Sequence, residues 1–233
     1  MTEEWEALSD WWLEEVARDP VYREDVLPLL FEVLQPRPGA MYLELGCGEG
    51  QAMRAVLDRG SRVVGCDVSL ELLRRARPVT VVRARLPELG WLRPASVDGA
   101  YVVLVLEHLP DSVELFRRVA AGVREGGCLA LVMNHPAYTA PGAGPVVDPT
   151  DGAVLWQWGP YLEETSGREP AGEREVTFVH RPLGDLLSQA ASAGWSLERL
   201  VERGIGEGAA ARDPLLAEQR HLPRLLGARW RRG

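Results

Sequence analysis

The sequence predicts an α/β protein built around a doubly wound, mostly parallel sheet. Three observations carry that prediction. A glycine-rich turn, Glu44-Leu45-Gly46-Cys47-Gly48-Glu49-Gly50, follows a short apolar run, Ala40 to Leu43, and precedes a helical pattern from Gln51 to Arg59. Strand-like and helix-like segments alternate from residue 40 onward, the rhythm of βαβ units. Near-continuous apolar runs such as Tyr101-Val102-Val103-Leu104-Val105 suit strands covered on both faces.

Taken in order, the segment from Glu3 to Leu34 is helical and amphipathic, interrupted at Pro20 and Pro28. Strands follow at Met41–Leu45, Arg62–Asp67, Val79–Arg83, Gly99–Val105 and Gly127–Met133. Gly60 closes the first intervening helix after Arg59. Ser69 caps the next, with Glu71 favourable in its first turn. Asp111 and Glu114 read as a capping pair, and Gly126-Gly127 ends that helix. The rhythm breaks between Pro136 and Gly172, a stretch rich in Pro, Gly and Thr that carries Tyr138, Trp156, Trp158 and Tyr161. An irregular stretch of that length is usually functional or a small subdomain, and it reads as an insertion covering the site. Arg174–His180 then reads as a strand, Leu183–Ala193 as a helix, Trp195–Val201 as a sixth strand and Arg224–Trp230 as the last. The expected organisation is one domain over 1–233, divided into a helical cap (1–35), a cofactor-binding core (36–135), a lid insertion (136–174) and the C-terminal part of the sheet (175–233).

Composition excludes several classes. A chain of 233 residues with 46% hydrophobic and 26% charged residues can bury a full core. Its longest apolar run, Ala100 to Leu106, is too short for a membrane helix, and the acidic N-terminus lacks a signal-peptide pattern; the cytoplasm is the expected location. Cys47, Cys66 and Cys128 have no Cys-x-x-Cys spacing and read as buried free thiols, with no metal expected. The net charge of −8 argues against a nucleic-acid partner. Residues 1–35 hold ten acids, while six arginines fall from Arg212 onward. Every one of the 26 basic residues is arginine, so lysine Schiff-base chemistry is excluded.

The glycine turn is the chemical signal. Glycine allows positive φ and close backbone approach to a ligand, and the following helix N-terminus presents free N–H groups. The dinucleotide fingerprint needs glycine at the sixth position, where Gln51 stands, and a P-loop needs Gly-Lys. Leu43 to Gly50 instead resembles the first motif of the class I S-adenosylmethionine-dependent methyltransferases. Val63-Val64-Gly65-Cys66-Asp67-Val68-Ser69 resembles the second, an acid ending the next strand. Asp98 to Val103, running on to Leu106-Glu107-His108-Leu109-Pro110-Asp111, is similar to the fourth-strand region of the small-molecule branch, which includes ubiquinone and menaquinone methyltransferases. The resemblance covers roughly Pro36 to Asn134 well. It implies a Rossmann-like, seven-stranded sheet with an antiparallel last strand beside the sixth. It also implies S-adenosyl-L-methionine as cofactor, with S-adenosyl-L-homocysteine as product, and methyl transfer to an O, N or C nucleophile of a small molecule.

The same resemblance assigns roles. Asp67 would accept hydrogen bonds from both ribose hydroxyls, as acids do in dinucleotide folds, and Val68 would pack on the adenine; a turn acid capping the next helix is the structural alternative for Asp67. Glu44 would help hold the cationic amino group, with Gly46, Cys47, Gly48 and Gly50 giving room and Leu104 offering its carbonyl. Where the family often carries an acid for the adenine amino group, this chain has Arg83, whose side chain has no acceptor, so backbone at Ala84 and Arg85 must serve. A base for the acceptor proton could be His108, His135 or His180, since histidine titrates near neutrality; each has a packing or hydrogen-bonding role as its alternative. Trp12, Tyr22, Tyr138 and Trp158 are candidates for the acceptor site. Two other readings stand beside this one: a non-catalytic module holding the cofactor or its product, and an RNA-modifying enzyme using the arginine-rich tail. The expected assembly is a monomer or homodimer.

Overall fold

Alternation of apolar residues decides which side of each strand meets which helix, and it builds two cores. The computed structural model describes residues 2–77 and 79–233. Its strands in chain order are β1 (Met41–Leu45), β2 (Arg62–Asp67), β3 (Thr80–Arg83), β4 (Val97–Val103), β5 (Val123–Asn134), β6 (Gly144–Val147), β7 (Val154–Gln157), β8 (Thr165–Ala171), β9 (Arg174–His180), β10 (Trp195–Arg203) and β11 (Leu225–Arg232). Seven of them form one sheet in the order β10-β11-β5-β4-β1-β2-β3. β11 lies antiparallel between β10 and β5, and the pairs from β5 to β3 are parallel.

Leu43 and Leu45 of β1 face the same core as Val102 and Leu131, closed by α6 (Ser112–Gly122) and α8 (Leu183–Ser192) through Leu115, Phe116 and Leu186. Tyr42 and Tyr101 face the other, with α3 (Leu27–Leu34) and α4 (Gln51–Leu57) supplying Leu30, Val33 and Met53. Period two therefore puts Glu44 on the α3–α4 side, directly opposite Tyr101 in the β1–β4 register.

The strand order reverses between β1 and β4, so their C-terminal ends frame the crevice where ligands bind in open α/β sheets. Three features differ from the sequence expectation. α6 ends at Gly122, and Gly126-Gly127, expected to end it, lies inside β5. Pro28 does not interrupt the N-terminal helices: a π-helical turn over Tyr22–Val26 runs straight into α3, whose first turn tolerates a missing N–H. The segment after β5 is not irregular throughout. It forms a short helix, α7 (Pro136–Thr139), a hairpin of β6 and β7, and β8, which pairs with β9 in a separate two-stranded sheet. The strand at Arg174–His180 is thus real but lies outside the main sheet. α1 (Thr2–Ala7) and α2 (Ser9–Arg18) pack on this hairpin through Leu8, Ala171 and Val176.

Candidate active site

The glycine turn bends away from β1 because its backbone must satisfy itself against the end of β2. Gly46 and Cys47 both donate to the Cys66 carbonyl, at 2.8 and 2.9 Å. Gly46 has φ +71°, and a Cβ there would come within 2.5 Å of Val105, so only glycine fits. Gly48 follows at φ +50° and donates to the Asp67 carboxylate at 2.8 Å. The other Asp67 oxygen accepts from Ser69 N at 2.9 Å. Burial raises the Asp67 pKa and these backbone donors partly counter it. Ser69 caps α5 (Leu70–Arg75), and Glu6 of α1 accepts from Leu70 N at 2.7 Å, tying the cap to this corner.

A chamber opens above the turn, walled by Gly46, Gly48, Asp67, Val68, Leu72, Ala84, Arg85, Leu86, Leu104 and Val105 and roofed by Trp5, Trp12 and His108. Arg83 is exposed and donates to the Val68 carbonyl at 3.1 Å, so the residue that replaces the family's acid steadies this wall. Ala84 N donates to the Asp67 carbonyl at 2.9 Å. Leu104, the residue after β4, lies in the left-handed region at φ 54°, a strained conformation for leucine.

Beside this chamber, Glu44, Cys47, Glu49, Tyr22 and Trp12 enclose a smaller, acidic recess. Glu44 is 2% exposed and accepts a 2.9 Å hydrogen bond from Tyr101. Burial pushes its pKa well up, and Glu49 and Asp67 push in the same direction. Trp12 donates to Glu49 at 3.3 Å and lines both spaces. Gly50 opens α4 beneath them.

A larger cavity of about 560 Å³ lies on the far side of His108 and Trp12, lined by Trp5, Trp11, Asn134, Tyr138, Thr139, Glu169 and Phe178 among others. His108 borders both this cavity and the glycine-turn chamber. Trp5 and Phe178 contact it edge-on, with ring centroids at 4.8 and 5.2 Å. Its Nδ1 lies 2.9 Å from the Thr177 carbonyl. A carbonyl only accepts, so Nδ1 donates to it and Nε2 is the ring nitrogen that can act as a base. Arg181, 2% exposed, holds the turn that bears His108 by donating to the carbonyls of Leu106, Leu109 and Pro110.

The other two histidines lie elsewhere. His135 is buried, caps α7 by accepting from Ala137 N at 3.1 Å and contacts Glu202 at 2.8 Å. Burial lowers its pKa, with Glu202 opposing. His180 is 1% exposed, between Thr139 Oγ1 at 3.3 Å and the Tyr161 carbonyl at 2.8 Å. Neither lines the chambers described above. Tyr138 lines the large cavity, whereas Tyr22 stands by Glu44. Trp158 follows the end of β7, is 59% exposed and lines none of these spaces. The sequence placed Trp158 at the acceptor; its indole instead lies edge-on to Tyr161, with ring centroids 6.0 Å apart. Sequence reasoning did not place Asn134 or Phe178 in the acceptor site; they lie far apart in the chain.

A methyltransferase-domain family model matches residues 43–131. The structure of an S-adenosylmethionine-dependent methyltransferase from Mesorhizobium loti is 31% identical, with 88% of this chain and 96% of that chain covered and a TM-score of 0.77. Trans-aconitate 2-methyltransferase of Afipia carboxidovorans is 31% identical over 39% of this chain and 37% of that protein. Ubiquinone biosynthesis O-methyltransferase of Xanthomonas campestris is 27% identical over 52% and 54%. The chain thus spans between 37% and 54% of the length of these two curated relatives.

Proposed function

The chain belongs to the S-adenosylmethionine-dependent methyltransferases, and on that premise we propose that it transfers a methyl group to a small-molecule acceptor held in the cavity beyond His108. The observation that carries this reading is a pair of adjoining spaces by the reversal of strand order, a glycine-turn chamber and an aromatic cavity, which share Trp5, Trp12 and His108 in their walls.

The residues fit the cofactor. The chamber over Gly46 and Gly48 is walled by the apolar side chains of Val68, Leu72, Leu86 and Val105, with Asp67 as its acid. Glu44, buried and raised in pKa, is the group that a ligand ammonium would ionise and satisfy. When bound, S-adenosylmethionine supplies a methyl group already activated on a sulfonium. In this reading Asp67 retains lone pairs to accept from ribose hydroxyls while holding Gly48 and Ser69. Glu44, with Tyr22 and Glu49 nearby and the Leu104 carbonyl, receives the amino group. Cys47 and Gly50 complete the turn beneath it, and Ala84 and Arg85 present backbone to the adenine. His108 Nε2 accepts the acceptor's proton, because Thr177 fixes the tautomer; His135 and His180 serve the fold.

Relatives named for a step of ubiquinone biosynthesis and for trans-aconitate support a small organic acceptor over RNA. Among the described residues no helix is long and apolar enough to cross a membrane. Isothermal titration with S-adenosylmethionine and, separately, with NAD tests the reading: saturable binding of the first alone is expected. Binding of NAD alone, or of neither, would overturn it.

A further inference from the structure

Arg224 differs from the arginines around it. Arg203, Arg212, Arg229 and Arg231 each pair with a glutamate: Glu32, Glu24 or Glu198. Among the described residues Arg224 makes no ion pair, and its guanidinium stands over the ring of Tyr138, 5.1 Å from the centroid. Its backbone is pinned on both sides. Arg224 N donates to the Arg203 carbonyl at 2.7 Å, and the Arg224 carbonyl accepts from His135 N at 2.8 Å. The ring contact and the pinned backbone hold the guanidinium in one place without neutralising it.

That place is where the spaces of the site meet. Arg224 lines a recess of about 190 Å³ that shares Trp11, Trp12 and Asn134 with the large cavity and Leu104 with the glycine-turn chamber. Glu107, 1% exposed, holds Asn134 in the common wall by accepting from its backbone N and its Nδ2, each at 3.1 Å. Among the described residues Arg224 is the recess's one cationic side chain. Glu15 and Asp19 share the recess and Glu169 lines the large cavity, all three exposed. Burial raises the Asp25 carboxyl, and Arg224 is among the charges that oppose it. Exposed carboxylates are screened by water and salt, whereas the half-buried guanidinium, with no counter-ion, keeps most of its field. Its planar pair of N–H donors matches a carboxylate. A phosphate-like dianion would meet Glu15 and Asp19 with twice the charge.

We propose that Arg224 sets acceptor specificity: the acceptor carries a carboxylate, which Arg224 holds in the recess as a handle, while a different group of the same molecule takes the methyl. A carboxylate is already ionised at neutral pH and needs no base, so His108 serves that other group. This inference rests on the methyltransferase reading and narrows its substrate.

The test is equilibrium binding to the protein saturated with S-adenosylhomocysteine, using 3-phenylpropionate, its uncharged amide and 2-phenylethylphosphonate as probes of one length. 3-Phenylpropionate is expected to bind saturably, with the amide and the phosphonate each about tenfold weaker or more. Arg224→Gln should weaken 3-phenylpropionate about tenfold or more, the scale of a hydrogen bond to a charged group, while leaving the amide and S-adenosylhomocysteine unaffected. Arg224→Lys keeps the charge without the paired donors and should fall between. With S-adenosylmethionine in place of the product, mass spectrometry should find no methyl ester of 3-phenylpropionate. Absence of 3-phenylpropionate binding, equal binding of acid and amide, tighter binding of the phosphonate, indifference to Arg224→Gln, or formation of the ester would each overturn the proposal while leaving methyl transfer standing. The comparison of acid with amide needs no variant, so it decides even where a substitution unfolds the chain. Failure of S-adenosylhomocysteine itself to bind is a separate result that removes the methyltransferase reading and this inference with it.

Discussion

The glycine-turn side of the cleft is made from short contiguous stretches, residues 44–50, 67–72 and 84–86, whereas the aromatic side gathers Trp5, His108, Asn134 and Phe178 from four distant segments. On the first side the holding forces are backbone hydrogen bonds: Gly46, Cys47 and Ala84 donate to carbonyls at the ends of neighbouring strands. On the second they are side-chain contacts, ring on ring and Glu107 on Asn134. Substitutions on the glycine-turn side should therefore act through chain conformation and charge, and those on the aromatic side through the surfaces that meet the acceptor.

The largest expected effect tests the boundary between the two. His108→Ala should lower kcat for a hydroxyl acceptor by about 10²–10⁴-fold, the usual range for a general base, with cofactor affinity unchanged in a direct titration. An unaltered kcat would show that His108 only packs between Trp5 and Phe178.

Gly46→Val comes next. Its φ of +71° and the 2.5 Å approach to Val105 leave no room for a side chain, so cofactor affinity should fall on the order of 100-fold and the thermal midpoint should drop as well. Retained affinity would mean that the turn does not contact the ligand. Asp67→Ala should weaken binding roughly tenfold or more, since a charged acceptor of two hydrogen bonds is lost.

Glu44→Gln sharpens the electrostatic side of the comparison. Burial raises the folded-state pKa of this carboxyl, so its stabilising contribution is complete below the ordinary carboxylate value and is lost as pH rises through the raised one. The ligand-free variant should therefore gain in thermal midpoint relative to the unsubstituted protein as pH goes from 5 to 8, while binding S-adenosylmethionine about tenfold more weakly. A midpoint difference that stays flat across that range would place Glu44 in an environment less buried than the one described.

The smallest effect is expected at His135. His135→Ala removes the cap of α7 and should cost about 1 kcal/mol in denaturant unfolding, with kcat intact. A large loss of turnover at unchanged stability would reopen this residue as a base.

How much of this was legible depends on whether the signal was local. The glycine turn, Asp67, the capping Ser69 and Asp111, and the strands of the main sheet could be read because each rests on a few adjacent residues or on a period of two. That Arg83 has no side-chain acceptor could be read from its identity, but its bond to the Val68 carbonyl depends on the tertiary structure. Between His108, His135 and His180 the sequence could not decide, since each follows or ends a strand. Only the tertiary partners differ: a carbonyl and an open chamber for one, enclosing side chains and backbone for the others.

The sequence by itself thus determined the fold class, the order of the main-sheet strands and the glycine turn at the end of β1, because backbone conformation and strand periodicity are set within a few residues. The tertiary structure alone decided that His108, of the three histidines, lines the glycine-turn chamber and the aromatic cavity, that Trp158 lines neither, and that Asn134 is held at the cavity wall by Glu107. Those outcomes depend on which distant segments pack together, and no local pattern encodes that.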